Sequence, residues 1–326
     1  MKISIIMGIY NGDKYLSDAI ESILVQSMPD FEFIIVDDGS TDNTGKIIFN
    51  FAKKDSRIKS ITLEENKGLA NALNVGIRAS SGEFIARMDC DDISLPERLE
   101  KQFCTLKKND IDILGTQVIN INSSGNTIKT KKSPTSSNNI KYILPYENCI
   151  NHPTVMMKRS SLENIGLYNV EYKTSQDYEL WLRLLPKFKF ANLEEPLVKY
   201  RKDRKILSDN YKHNQTLFSV YAALNYFLSK YHLKNISPND QISSLVRCFK
   251  ELCSLELTIR DQRCINRHMM RLSRRCKLDK NHKRTLNELI IRSATTKEKY
   301  KWLFYKLITA NIFYKKPNST EAYHKN

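Results

Sequence analysis

The sequence predicts an α/β protein: a mostly parallel, doubly wound sheet followed by a basic α-helical region. Three observations carry this reading. Short Val/Ile/Phe runs alternate with helical stretches over the first two hundred residues, and acidic clusters stand at the exits of two of those runs. After about residue 205 the strand signals fade while apolar residues recur at helical spacing. Such alternation is the βαβ rhythm that places helices on both faces of a parallel sheet.

In chain order, "KISIIMGIY", "FEFIIVDDGS", "SITLEEN", "GEFIARMD" and "DILGTQVINI" read as strands. The helices between them are "YLSDAIESILVQ", "NTGKIIFNFAKK" and "GLANALNVGIRAS", and "SLPERLEKQFCTLKK" follows the fourth strand with Ser94 as its cap and Pro96 in its first turn. Past residue 205, "NQTLFSVYAALNYFLSKYHL" and "SSLVRCFKELCSLELTIR" carry the helical pattern. At 326 residues and 41% hydrophobic content the chain can bury a sizeable core. The change of pattern divides it into residues 1–205 and 206–326.

Composition excludes several classes. The seven cysteines are scattered without a CxxC pair, so neither a disulfide framework nor a zinc site is expected. The N-terminal apolar run meets Asn11 and Gly12 too soon for a signal peptide, and no segment reaches the roughly 18 apolar residues of a membrane span. A cytoplasmic location is expected. The net charge of +16 is unevenly held: residues 1–200 carry 25 Lys and Arg against 26 Asp and Glu, while residues 201–326 carry 27 against 10. Two parts so different in charge meet different partners.

In an open α/β sheet, ligands bind beyond the carboxyl ends of the strands. The first acidic cluster there is "IIVDDGSTDNT", a strand closing in Asp37 and Asp38, a Gly39-Ser40 turn, and Thr41 or Asp42 placed to cap the next helix. Its carboxylate suits a base or ribose, and the segment fits a plain Asp-Gly turn as well. No GxGxxG follows the first strand, which disfavours a nicotinamide-binding domain. The second cluster sets Asp89, Asp91 and Asp92 within four positions. Carboxylates so close raise one another's pKa unless a cation intervenes. Asp89 and Asp91 point the same way in an extended segment, where a divalent metal with oxygen ligands could also grip a diphosphate. A solvated acidic loop is the other reading.

Five blocks together resemble the family 2 glycosyltransferases, inverting enzymes of the GT-A fold that use nucleotide-diphosphate sugars, and more narrowly the bacterial enzymes that build O-antigen and exopolysaccharide units on a lipid carrier. The blocks are "SIIMGIYNGDKYLSDAIESILVQSMPDFEFIIVDDGSTDNT", "ENKGLANALNVGI", "GEFIARMDCDDISLPERLEKQ", "NHPTVMMKRSSLENIGLYN" and "SQDYELWLRLL". The resemblance implies that Asp38 meets the uracil or ribose of a UDP-sugar donor, that Gly8 and Tyr10 line the base pocket, and that Asn66 and Gly68 form the loop beside it. It implies Mn2+ or Mg2+ on a DxD motif of Asp89 and Asp91, with Asp91 the direct ligand, and Asp177 as the catalytic base. Read alone, Asp177 is a helix-start carboxylate favoured by the macrodipole. His152 falls on the acceptor side or is structural; Trp181 stacks on a sugar or fills the core. Many relatives follow the Tyr-Arg pair with a histidine, where this chain has Lys202 and Asp203, so Arg201 or Lys202 becomes the diphosphate contact.

The basic tail fits an enzyme working on a polyprenyl diphosphate acceptor at an anionic membrane surface, where clustered Lys and Arg contribute about 1 kcal/mol each. "RHMMRLSRRCKLDKNHKR" supplies cations, and "YKWLFYKLITANIFYKK" resembles an interfacial segment lying in the membrane plane. Peripheral association with the inner face of the membrane is therefore expected. A solvated helical bundle also fits the tail; its charge could serve nucleic-acid phosphates too, a reading disfavoured because no RRM, KH or zinc-finger pattern accompanies it. For the whole chain the rival reading is a non-catalytic binding protein of the same fold in a polysaccharide assembly complex. The oligomeric state stays open.

Overall fold

A computed structural model of the chain describes residues 2–202, 209–276 and 278–293. Its first half runs β1 (Ile3–Ile9), α1 (Asp13–Leu24), β2 (Phe31–Asp37), α2 (Thr44–Lys54), β3 (Ile58–Thr62), α3 (Leu69–Ala79) and β4 (Phe84–Arg87). Then come β5 (Ile93–Ser94), α4 (Arg98–Lys108), β6 (Ile113–Ile121), β7 (Thr127–Lys131), α5 (Ser137–Ile143), a 3-10 turn (His152–Thr154), β8 (Met156–Lys158), α6 (Arg159–Ile165), α7 (Gln176–Leu184) and β9 (Phe190–Arg201). Helices α8 (Asp209–Lys230), α9 (Ile242–Cys253), α10 (Ile259–Arg275) and α11 (Lys280–Ser293) follow. The expected interfacial segment at 300–316 and Asp203 lie outside the described residues.

One sheet holds the strands in the order β3-β2-β1-β4-β8-β6-β9-β5, with β7 beside β6. Strands β3, β2, β1 and β4 are mutually parallel, as βαβ units require. Beyond β4 the sheet becomes mixed, because β8 inserts antiparallel between β4 and β6 while β6 and β9 are parallel. The period of two sends alternate side chains of β1 and β2 to cores on opposite faces, so both strands are largely apolar, and the buried Ser4 hydroxyl donates to the buried Glu32 carboxylate at 2.7 Å. Ile3, Ile5, Met7, Phe31, Phe33 and Ile35 enter one core with α1, whereas Ile6, Ile34 and Val36 enter a second core with α3. This second core continues through Trp181 and Leu184 of α7 into Val220, Leu224, Phe249, Ile265 and Leu272 of α8, α9 and α10.

Two local expectations need correction. Ser94 does not cap α4; it lies in β5, where its N–H donates to Ser22 Oγ (3.0 Å) and its hydroxyl accepts from Gln26. The stretch "SSLVRCFKELCSLELTIR" is not one helix, because α9 ends at Cys253 and α10 starts at Ile259 with Thr258 as its cap. Gly8 is buried at the end of β1, where a Cβ would stand 3.1 Å from both Ala72 Cβ and Leu69 Cδ1, so the missing side chain lets α3 approach β1.

Helix α10 is fixed to the loop after α5 by the buried His268, whose Nε2–H donates to the carbonyl of Pro145 at 2.8 Å. Burial pushes this imidazole down to about 4. Between that value and its ordinary 6.5 the unfolded chain binds a proton that the folded chain refuses, so stability falls as pH drops through this window. The single group is worth up to about 3 kcal/mol. The expected result is a smaller loss of melting temperature between pH 7 and pH 4 in His268→Gln, which keeps a donor for Pro145, than in the parent; equal slopes would show that His268 does not titrate this way.

Candidate active site

The carboxyl ends of β2, β1 and β4 lie side by side, and the acidic clusters sit there. Asp38 is buried, and its carboxylate clasps the loop before α3: Oδ1 accepts from the Lys67 N–H at 2.9 Å and Oδ2 from the Gly68 N–H at 2.8 Å. Asn66 Oδ1 accepts from the same Gly68 N–H at 3.1 Å. Gly39 turns the chain with φ of +76°, and a Cβ there would meet the Glu65 backbone at 2.8 Å, so two loops close on one another at this edge. Tyr10 stands exposed beside them at the exit of β1. Two strand spacings separate Asp38 from the β4 exit, roughly 10 Å.

The β4 exit is charged in depth. Arg87, buried in the strand, pairs with Asp89, while its Nε and Nη1 have no partner. Burial disfavours this cation, yet the Asp89 carboxylate holds its pKa above the ordinary value. Behind it the buried Arg98 donates to the Arg87 carbonyl (2.7 Å) and to Gln102 (3.0 Å). Burial, with the Arg87 charge adding to it, lowers Arg98 to about 9. Carboxylate oxygens of Asp89, Asp91 and Asp92 lie within 4.8 Å of one another. Burial, with Asp89 alongside, pushes Asp91 up to about 6, and Asp92 is raised further for the same reasons. Asp92 Oδ1 accepts from the Arg201 N–H at 2.7 Å and so ties the triad to β9; its buried Oδ2 has no partner. Arg87 pairs with one of three carboxylates, and the residual repulsion on a hard oxygen donor set fits a divalent cation.

Asp89 and Asp177 line one cleft of about 860 Å³. Asp91, close to Asp89 through its carboxylate, is not among the residues that line this cleft. Asp177 comes from the first turn of α7, where Ser175 holds a left-handed backbone (φ 60°) that few non-glycine residues adopt. Asn148 Nδ2 donates to Asp177 Oδ2 at 2.7 Å, fixing the carboxylate. Burial raises the pKa of Asp177, which makes it the better proton acceptor. His152 also borders the cleft and bonds through Nε2 to the Tyr168 hydroxyl at 2.8 Å. Burial, with Arg87 nearby, holds it well below its ordinary pKa, so it is neutral.

Two expected contacts are placed elsewhere. Trp181 is fully buried, edge-on to His152 and Phe190, and belongs to the core. Arg201 is buried too: its guanidinium donates to the carbonyls of Asp91, Asn122 and Ser123 and stacks on Tyr15 at 4.0 Å. Three of its N–H donors are taken up by these carbonyls, whereas Lys202 lines the cleft. Sequence reasoning missed Arg87, Asn148 and the cleft-lining Lys131, Arg271 and Arg275. Only Arg87 left a signal, as a charged residue inside an otherwise apolar strand.

Solved structures with the same architecture are GT-A glycosyltransferases. S. aureus TarS bound to UDP-GlcNAc superposes with a TM-score of 0.59 at 19% identity, covering 91% of this chain and 93% of that one. This chain spans 54% of a longer TarS structure. At such identity the likeness speaks for the fold alone. The family model for glycosyl transferase family 2 matches residues 4–166. The chain is 36% identical over 256 residues to the O-antigen biosynthesis glycosyltransferase WbnJ of Escherichia coli, 77% of this chain and 95% of that protein. It is 34% identical over 214 residues to WfgD of Escherichia coli, a UDP-Glc:alpha-D-GlcNAc-diphosphoundecaprenol beta-1,3-glucosyltransferase, covering 64% and 80%. This protein belongs to glycosyl transferase family 2. No helix among its described residues is long and apolar enough to cross a membrane.

Proposed function

We propose that the protein moves a hexose or N-acetylhexosamine from a UDP-sugar to a lipid-linked saccharide, with inversion, in the synthesis of a bacterial surface polysaccharide such as O-antigen. The observation that carries this reading is the shared cleft: Asp89, the cleft face of the acidic triad, and Asp177, the oriented and desolvated carboxylate, look into one space large enough for a sugar. WbnJ and WfgD support the pathway and the acceptor class by similarity.

Inversion needs attack from the face opposite the diphosphate. The acceptor hydroxyl approaches Asp177, which takes its proton as the bond to the anomeric carbon forms. Asn148 holds the carboxylate in place, and the neutral His152 adds no competing charge. A divalent cation held by Asp91 and Asp89 would neutralise charge on the departing diphosphate. Asp38 and the 66–68 loop shape the nucleoside end, and Lys202 stands beside the triad for the phosphates. The basic C-terminal third is read as the side turned to an anionic membrane surface. Liposome sedimentation checks it: binding is expected to require anionic lipid and to weaken with salt.

A UDP-sugar with Mn2+ is expected to raise the melting temperature, since a ligand that binds only the folded state stabilises it by about 2.7 kcal/mol at a hundred times its Kd. The rise should shrink with EDTA and in Asp91→Asn. An equal rise in all three conditions would remove the cation from donor binding.

A further inference from the structure

The tail cations do not all face outward. Arg267, Arg271 and Arg275 follow one another at intervals of four along α10 and so share one stripe of the helix. The first is satisfied, since its Nη2 lies 2.5 Å from Glu147 Oε2. Arg271 and Arg275 have no hydrogen bond or ion pair among the described residues, and both line the cleft that holds Asp177. Arg271 is only half exposed. A guanidinium partly withdrawn from water without an acceptor is costly, and an anion in the cleft would relieve it.

Its position relative to the reacting groups follows from the packing. His268 and Arg267 tie α10 to Pro145 and Glu147, and the next residue of that loop is Asn148, the donor to Asp177. Burial and the neighbouring Arg275 and Arg267 disfavour the Arg271 charge, while the Tyr178 hydroxyl, one residue past Asp177, lies within its electrostatic reach. The cleft thus carries these two arginines in addition to Arg87, Lys131, Lys173 and Lys202, the last of which follows the Arg201 that binds Asp92. The donor brings a single diphosphate, and the triad side accounts for it. A pole on the base side calls for a second phosphate group that arrives with the acceptor.

Resting on the acceptor class assigned above, we propose that Arg271 and Arg275 form an anion subsite that docks the diphosphate of the acceptor and thereby presents its sugar hydroxyl to Asp177. Bidentate guanidinium contacts suit phosphate oxygens better than ammonium groups do.

The test uses the full chain saturated with UDP and Mn2+, with farnesyl diphosphate as the second ligand in calorimetry. The Arg271→Gln/Arg275→Gln variant should bind farnesyl diphosphate on the order of tenfold more weakly per arginine removed, while its Kd for UDP and its melting temperature stay within a factor of two and a few degrees. The Arg271→Lys/Arg275→Lys variant, which keeps both charges but not the bidentate geometry, should recover part of the loss. Unchanged farnesyl diphosphate binding in the Gln variant overturns the proposal. So does an equal loss of UDP affinity, which would hand the cations to the donor, or a loss confined to phosphatidylglycerol vesicles, which would hand them to the membrane. Failure of the Lys/Lys variant to recover, with UDP binding intact, would assign the effect to packing and also overturn it. The binding readout is separate from turnover: if arginine-dependent diphosphate binding stands but no sugar is transferred to any lipid-linked acceptor, the transferase assignment of the acceptor falls and the subsite remains.

Discussion

Asp177→Asn is expected to lower the rate of sugar transfer by roughly 100- to 10,000-fold, the range a positioned base contributes, while leaving the donor Kd nearly unchanged. The asymmetry is the diagnostic part. Asn keeps the size of the side chain and an oxygen that accepts from Asn148 Nδ2, so the first turn of α7 retains its geometry. What disappears is the capacity to take a proton in the transition state. Because the proposed donor contacts lie at the β2 and β4 exits and not on α7, UDP titration of the variant should match the parent. Asn148→Ala offers an internal comparison. It leaves the base in place but unoriented, so its rate should fall by less, with the acceptor KM and kcat both affected. Transfer by Asp177→Asn at the parental rate would mean that another group removes the proton.

The part of this architecture that could be read from sequence is the part where local pattern and tertiary role agree. Strands β1, β2 and β4 are buried on both faces, so their continuous apolar runs state their position without help from context. Helix α1 declares its buried face through Leu16, Ala19, Ile20 and Ile23. Strand β9 does not: Glu194, Glu195 and Pro196 interrupt it, and the ladder tolerates them by a bulge, with Thr116 opposite Leu193 and Gln117 opposite Pro196. Strand β8 is three residues long and has no period to show. At the site, the acidic pair at β4 and the carboxylate at α7 were visible because their motifs are contiguous in sequence. Asn148 and the arginines of α10 were not, because their roles arise from a loop and a helix that meet Asp177 only in space. Trp181 was legible only as two alternatives, sugar platform or core, and its full burial against Phe190 selects the core.

Arg87 carries the other large expected effect, and it is one that motif reading alone would not suggest. Three carboxylates crowd the end of β4, and the structure places one buried guanidinium against the foremost of them. Arg87→Met fills a similar volume without the charge. Removing one partner of a buried ion pair costs about 3–5 kcal/mol when the other is left uncompensated; Asp89 is partly exposed, so the lower end of that range is expected for folding without metal. Two effects then separate. The triad loses its internal counter-charge, so Mn2+ should stabilise the variant by more than it stabilises the parent, because the cation now relieves repulsion that Arg87 formerly shared. Transfer should nonetheless fall by 10-fold or more even with saturating Mn2+, about 1.4 kcal/mol in the barrier, since Arg87 also fixes the direction in which the Asp89 carboxylate faces the cleft. The measurement is a pair of melting curves with and without Mn2+ for parent and variant, joined to a kcat at saturating metal. A smaller Mn2+ shift in Arg87→Met than in the parent would show that the guanidinium assists the cation rather than substituting for it, and the electrostatic account of the β4 exit would have to be reversed.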